Sequence, residues 1–267
     1  MYASIHLGVS TAPLFPRPLE EIFRILKEQP VREIELMPLS PAECGPDFAR
    51  ELLSHSKGDF RFCSIHFPLI LHPFLYNPYP SAREYGRELC RGLAALAARL
   101  ESRVLVVHAP PKKMGTSPFI EVAMENIAYL CDLCAPSGIR VGLENSPNSL
   151  AETPRLMQEW ATRIGRPNLG YVLDITHAHQ SNLDPLDFIQ ALPSLAHLHV
   201  SDYDPQNGPH QPVGRGRVNW QRLAEALHRS DFEGHVILEL ATNTIGEDPA
   251  MTLREGIARL SAWLDMD

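Results

Sequence analysis

Six apolar runs in this chain end in a residue that binds metal ions: SIHF at His66, VVHA at His108, VGLE at Glu144, YVLD at Asp174, HLHV at His199 and VILE at Glu239. Short runs rich in Val, Ile and Leu fit strands buried on both faces, the situation of parallel pairing. If these runs are parallel strands of one closed sheet, their C-terminal ends share a rim, and six imidazoles and carboxylates converge on one mouth. That gathering predicts a divalent metal site. No single one of the six carries the inference, because an isolated His beside apolar residues is more often a hydrogen-bonded core or rim residue than a ligand.

The rest of the chain reads as repeats of strand then helix. Expected strands cover 3–7, 31–37, 61–67, 103–108, 139–144, 169–174, 195–200 and 235–240. Helices are expected near 19–28 and 47–55, and over 185–192, 220–229 and 249–264. Ser81 with Glu84 reads as a capping box ahead of Leu89, Leu93, Leu96 and Leu100 on one face. Ser117 before Pro118, and Thr153 before Pro154, each place a cap ahead of proline at the first helical position. Strands alternating with helices imply parallel pairing through crossovers. Eight such units typically need roughly 250 residues, and the chain has 267. The expected fold class is α/β, a single (β/α)8 TIM barrel spanning 1–267 as one domain, with the metal site at its C-terminal face. The longer connections, 68–80, 110–118 and 201–219, follow strands three, four and seven and belong to that face.

Composition narrows the class further. Apolar residues make up 44% of the chain, enough for a substantial core. No apolar run approaches the ~18 to 20 residues of a membrane span. The opening MYASIHLGVSTAPLFPRP lacks the basic and apolar segments of a secretory signal, so a cytoplasmic protein without a membrane partner is expected. Five cysteines do not make a disulfide framework, and the CDLC pair, Cys131 and Cys134, lies in a helical pattern that favours a structural role. A net charge of -8 argues against broad attraction to nucleic acid. A homo-oligomer is compatible with this composition.

Glu144 and Glu239 are the central pair, two carboxylates placed to share one divalent ion across a barrel mouth. Asp174 and His199 complete a first site. His66 and His108 enter from strands three and four; with Glu144 bridging they bind a second ion, or else they hold substrate oxygens. Imidazole beside carboxylate favours zinc, manganese, iron or cobalt over calcium. His177, three residues past Asp174, and His210, in NGPHQPVGRGRVNW, are auxiliary groups for a third ion or for substrate. His72 and His179 are less directly placed. Gly214 and Gly216 lack the GxGxxG spacing of a dinucleotide site and serve to turn the loop, with Arg215 and Arg217 expected in solvent. Asp202 is expected to fix the ring of a ligating histidine. Phe67 and Leu69 are expected to pack in the core or lid, or to form a small wedge.

The ordered series LENS at Glu144, LDITH at Asp174 and His177, HLHVSD at His199, GRG with Trp220, and ILE at Glu239 resembles the xylose isomerase-like barrels, a superfamily that also contains endonuclease IV-type enzymes. The resemblance covers almost the whole chain. Sugar isomerases and epimerases of this group hold a metal through Glu, Asp, His and Glu, which implies Glu144, Asp174, His199 and Glu239 here. The endonuclease branch cleaves DNA on the 5′ side of abasic sites with three zinc ions. Its sites fall on His66, His108 and Glu144; on Glu144, Asp174, His199 and Glu239; and on His177 and His210 with an aspartate two residues before the latter. That position is Gly208, in GPH where the family has Asp-Arg-His, a departure that weighs against phosphodiester hydrolysis.

The expected function is a metal-dependent isomerase or epimerase acting on a small sugar, sugar phosphate or related polyhydroxy carbonyl compound. Glu144 and Glu239 are its expected catalytic carboxylates, and zinc or manganese its metal, as one or two ions. The alternative is endonuclease IV-type hydrolysis of abasic DNA, for which three ions are expected.

Overall fold

The computed structural model describes residues 5–193, 195–230 and 232–264. Seven strands follow the chain to residue 200: β1 (Ile5–Ser10), β2 (Glu33–Leu36), β3 (Arg61–His66), β4 (Val104–His108), β5 (Arg140–Glu144), β6 (Leu169–Asp174) and β7 (Leu195–Val200). An antiparallel hairpin, β8 (Asp202–Asp204) and β9 (Gly208–Gln211), separates them from β10 (Gly234–Leu238). The parallel strands close into one barrel in the order β1-β10-β7-β6-β5-β4-β3-β2. It is a (β/α)8 TIM barrel.

The helices are α1 (Leu19–Lys27), α2 (Pro46–Ser56), α3 (Pro73–Tyr76), α4 (Pro80–Arg99), α5 (Ser117–Cys134), α6 (Pro154–Ile164), α7 (Ile175–Gln180), α8 (Pro185–Ala191), α9 (Trp220–Arg229) and α10 (Pro249–Leu264). The long ones lay apolar stripes on the sheet. In α4, Leu89, Leu93 and Leu96 are buried at helical spacing. That outer layer is one large hydrophobic core, whereas Val104, Val106, Val172 and Ala196 form a small separate cluster. Much of the remaining buried surface is polar, including Glu35, Ser64, Glu144, His197 and His199. Glu35, Ser64 and His197 lie on three different strands yet are hydrogen-bonded to one another, which places them inside the barrel. A packed barrel normally fills this space with branched apolar side chains.

Several local expectations need correction. The first strand lies at Ile5–Ser10, shifted from the expected 3–7, with residues 3 and 4 outside the described residues. The Ser81–Glu84 capping box does not form: α4 begins one residue earlier, at Pro80, and Glu84 pairs with Arg91 at 3.0 Å. Proline's fixed φ starts this helix without a side-chain cap. Ser117 lies inside α5 and bonds Glu121. Thr153 does cap α6, accepting from the Leu156 amide at 3.3 Å. All five cysteines are buried and free. Among the described residues, no helix is long and apolar enough to cross a membrane.

Candidate metal centre

Strand register brings the expected ligands level. His108 pairs with Glu144 across β4 and β5, and Asp174 pairs with His199 across β6 and β7. Glu144 pairs with Val172, two residues before Asp174, so the period of two keeps both carboxylates on one face. Glu239 follows β10, its amide donating to the Val200 carbonyl at 3.0 Å. The result is four protein groups, Glu144, Asp174, His199 and Glu239, whose ligand atoms lie within 4.8 Å of one another. His66, His108 and Glu144 form a second such set, and Asp174, His177 and His210 a third.

Glu144 joins the first two sets. One oxygen lies 2.9 Å from His199 Nδ1; the other lies 3.1 Å from His66 Nε2 and 2.6 Å from His108 Nε2. His199 Nδ1 is also 3.1 Å from Glu239. Three of the rings are oriented by the main chain: His66, His177 and His210 each donate Nδ1–H to a carbonyl, of Phe67 (2.8 Å), Asn145 (2.9 Å) and Glu239 (3.2 Å). That fixes the orientation of each ring and leaves Nε2 of His177 and His210 to serve a cation, while His66 Nε2 faces the Glu144 carboxylate. Asp174 caps α7 with one oxygen, which accepts from the His177 amide at 2.7 Å. Asn145 locks its backbone from below through reciprocal bonds to the Asp174 amide (2.7 Å) and carbonyl (2.9 Å).

Charge is unevenly distributed over these groups. Burial alone would raise the Glu144 carboxyl, yet His199 and His108 hold it well below the usual carboxylate range. Burial likewise opposes charge on His199, but Glu35, Glu144 and Glu239 together hold its imidazolium well above the ordinary range. At Glu239 burial wins: the carboxyl is pushed up, His199 offsets this only in part, and Glu144 adds repulsion. His66 is raised because its bond to Glu144 overrides burial, whereas His108 is lowered because burial dominates.

This donor set fits a divalent cation. The second oxygen of Asp174 is wholly buried with no hydrogen-bond partner among the described residues, an arrangement that costs free energy unless a cation binds there. Among the described residues, the ion pairs of Glu144, Asp174 and Glu239 are all with histidine, so no lysine or arginine there does a metal's work. Carboxylates mixed with imidazoles suit zinc or manganese. Zinc at a hundredfold its dissociation constant is expected to raise the unfolding free energy by about 2.7 kcal/mol, because it binds only the folded chain. Thermal unfolding with zinc, and again with excess chelator, reads this directly; coincident curves would remove the metal from the site.

Three groups escaped the sequence reading: Glu35, His197 and Asn145. Glu35 on β2 is fully buried and accepts from His199 Nε2 (3.1 Å), His197 Nε2 (3.1 Å) and Ser64 Oγ (2.8 Å). A signal existed: Glu33 and Glu35 alternate with Ile34 and Leu36, and His197 with Leu198 and His199, which puts each polar pair on one face of its strand. The third is Asn145, in LENS. His72, expected to be less directly placed, accepts the His108 amide (3.3 Å) and stacks on the His108 ring at 4.8 Å.

Asp202 does not hold a histidine, as expected from sequence, but organises the loop after β7. One of its oxygens accepts from the Tyr203 and Val218 amides, the other from the Gly214 amide and the Trp220 indole. The glycines follow from this. Gly214 has φ +86°, and a Cβ on Gly216 would lie 2.3 Å from the Asp202 carboxylate. Arg215 and Arg217 are exposed. Asp202→Asn must turn an NH2 toward two donors, so a loss of about 1–3 kcal/mol is expected in urea unfolding. His179 stacks on Tyr203 of the hairpin, away from the three sets. Phe67 is fully buried, which makes it core, while Leu69 is exposed.

A cavity of about 480 Å³ opens beside the centre and shares Glu239 and His210 with it. A second, of about 520 Å³, lies at the opposite end of the barrel, among the first residues of the strands. It contains Glu33, Cys63 and His235, a further set with ligand atoms within 4.8 Å. Glu33 is already engaged there by Arg61 and His235. Chemistry in this architecture sits at the C-terminal face, so the smaller cavity is the relevant one.

Comparison with known proteins bears on the fold. A sequence profile describing the xylose isomerase-like TIM barrel matches residues 19–263. An uncharacterized protein of Methanocaldococcus jannaschii is 28% identical over 187 residues, 66% of this chain and 63% of that protein. The 3-dehydroshikimate dehydratase of Bacillus anthracis is 32% identical over 166 residues, 54% of this chain and 59% of the enzyme. The chain thus spans less than two thirds of either relative. The crystal structure of a D-tagatose 3-epimerase-like protein superimposes with a TM-score of 0.78 at 22% identity, covering 96% of this chain and 98% of that one.

Proposed function

We propose that this chain, which belongs to the xylose isomerase-like TIM barrel family, is a single-domain, metal-dependent isomerase or epimerase of a small sugar, sugar phosphate or related polyhydroxy carbonyl compound. The observation that carries the reading is the four-group set of Glu144, Asp174, His199 and Glu239 at the strand C-termini, opening on a cavity. A zinc or manganese ion held there would act as a Lewis acid toward adjacent carbonyl and hydroxyl oxygens. Glu144 and Glu239 approach the centre from β5 and from the end of β10, the placement needed to exchange a proton with opposite faces of one carbon. His177 and His210, with Nδ1–H tied to carbonyls, would offer Nε2 to substrate oxygens or a further ion. The epimerase-like fold neighbour and the dehydratase relative support carbonyl chemistry in general.

The test is turnover by the zinc- or manganese-loaded chain across sugars, inososes and related hydroxy acids in deuterated water, followed by NMR. Conversion with deuterium appearing beside the carbonyl is the expected result; no conversion of any carbonyl compound would refute the proposal. A second reading, hydrolysis of abasic DNA, is favoured by one observation, the assembly of all three ligand sets. The third set draws its carboxylate from Asp174, since position 208 is glycine. A nicking assay on an abasic duplex decides between the two, and strand cleavage there would displace the isomerase.

A further inference from the structure

The cavity beside the metal centre is lined mainly by apolar side chains. Its outer wall is apolar: Phe15 after β1, Met37 and Leu39 after β2, Leu69 and Ile70 after β3, and Leu240 after β10. Three of these are conspicuously exposed, Phe15 at 48%, Leu69 at 53% and Ile70 at 68%. Glu239 and His210 lie on the side facing the metal centre, and among the described residues the only other polar side chain in the lining is Thr242. Among the described residues, no lysine, arginine, asparagine or glutamine lines the cavity. A chain of hydroxyls seated against this wall would give up hydrogen bonds to water and find almost none in return. An alkyl or carbocyclic group would instead remove its own surface and that of the wall from water.

We infer that the substrate pairs a metal-chelating carbonyl or hydroxyl head with an alkyl or carbocyclic portion seated against Phe15, Met37, Leu39, Leu69, Ile70 and Leu240. This rests on the metal-centred reading above and narrows its substrate class. Continuity assigns the wall to substrate: the same concavity shares Glu239 and His210 with the ligand sets, so whatever is held at the centre extends into it. At about 480 Å³ it suits a compact small molecule.

Three hydroxamates with one chelating head test the idea on the zinc-loaded chain by calorimetry: acetohydroxamate, hexanohydroxamate and D-gluconohydroxamate. The last two have the same number of carbons and differ in hydroxyls. Hexanohydroxamate is expected to bind at least about tenfold more tightly than gluconohydroxamate, each buried methylene contributing roughly fourfold. Ile70→Asn should narrow that ratio to within about threefold while leaving acetohydroxamate binding unchanged. Equal or tighter binding of gluconohydroxamate, with acetohydroxamate still bound, overturns this inference alone. Failure of all three compounds to bind overturns the metal-centred reading together with it. A concentration-dependent dimer that Ile70→Asn dissociates, without any preference among the hydroxamates, assigns the wall to a second copy of the chain and also overturns the inference.

Discussion

Glu144→Gln is expected to leave the barrel folded and to lower turnover by on the order of 10³-fold, because a Lewis-acid contribution of several kcal/mol is lost at about 1.4 kcal/mol per tenfold. The reason is position. Glu144 faces His199 with one oxygen and His66 and His108 with the other, so it is common to both ligand sets that contain it. Glutamine matches its size, which preserves packing, but carries no charge and presents an NH2 to one side. Either the His199 side or the His66 and His108 side then meets a donor in place of an acceptor. Metal content after dialysis should fall together with activity, while far-ultraviolet circular dichroism stays unchanged. A variant that kept its zinc and its full turnover would show that the cation sits elsewhere.

The parts of this site legible in the sequence were those governed by strand ends. An apolar run that stops at His or Asp announces both a strand and its C-terminus, and parallel pairing then puts every such residue on one rim. His66, His108, Glu144, Asp174, His199 and Glu239 come together for that reason. The parts that were not legible depend on geometry with no local period. The hairpin of β8 and β9 sits in a stretch whose glycines and prolines read as loop, and its shape is fixed by Asp202, twelve residues before the Gly214 amide it accepts. Helix starts were misread where Pro80 alone sufficed without the Ser81 cap. Glu35 is not legible for a different cause: it lies within β2, not after a strand, and is matched by polar partners on β3 and β7 that only the closed barrel brings to it.

Glu35 also carries the second large effect. Its carboxylate is fully buried, and burial alone would raise it, but His199 and His197 hold it well below the usual range. Because His199 gives Nε2–H to Glu35, it turns Nδ1 toward Glu144 and Glu239, where the cation is expected. The carboxylate thus fixes both the tautomer and the angle of a ligand from the far side of its ring. Glu35→Ala leaves two imidazoles and the Ser64 hydroxyl without that acceptor in the buried barrel interior. Removing one partner of a buried ion pair costs about 3–5 kcal/mol, which urea unfolding of the metal-free chain should register. Zinc affinity should fall by about 10–100-fold in addition, since a freed ring no longer holds Nδ1 in place. Glu35→Gln separates the two effects: it keeps the volume and one acceptor oxygen, so stability should drop less while zinc affinity still declines. If Glu35→Ala lost stability yet bound zinc as tightly as the parent chain, the residue would be a strut of the barrel interior, and His199 would owe its orientation to packing alone.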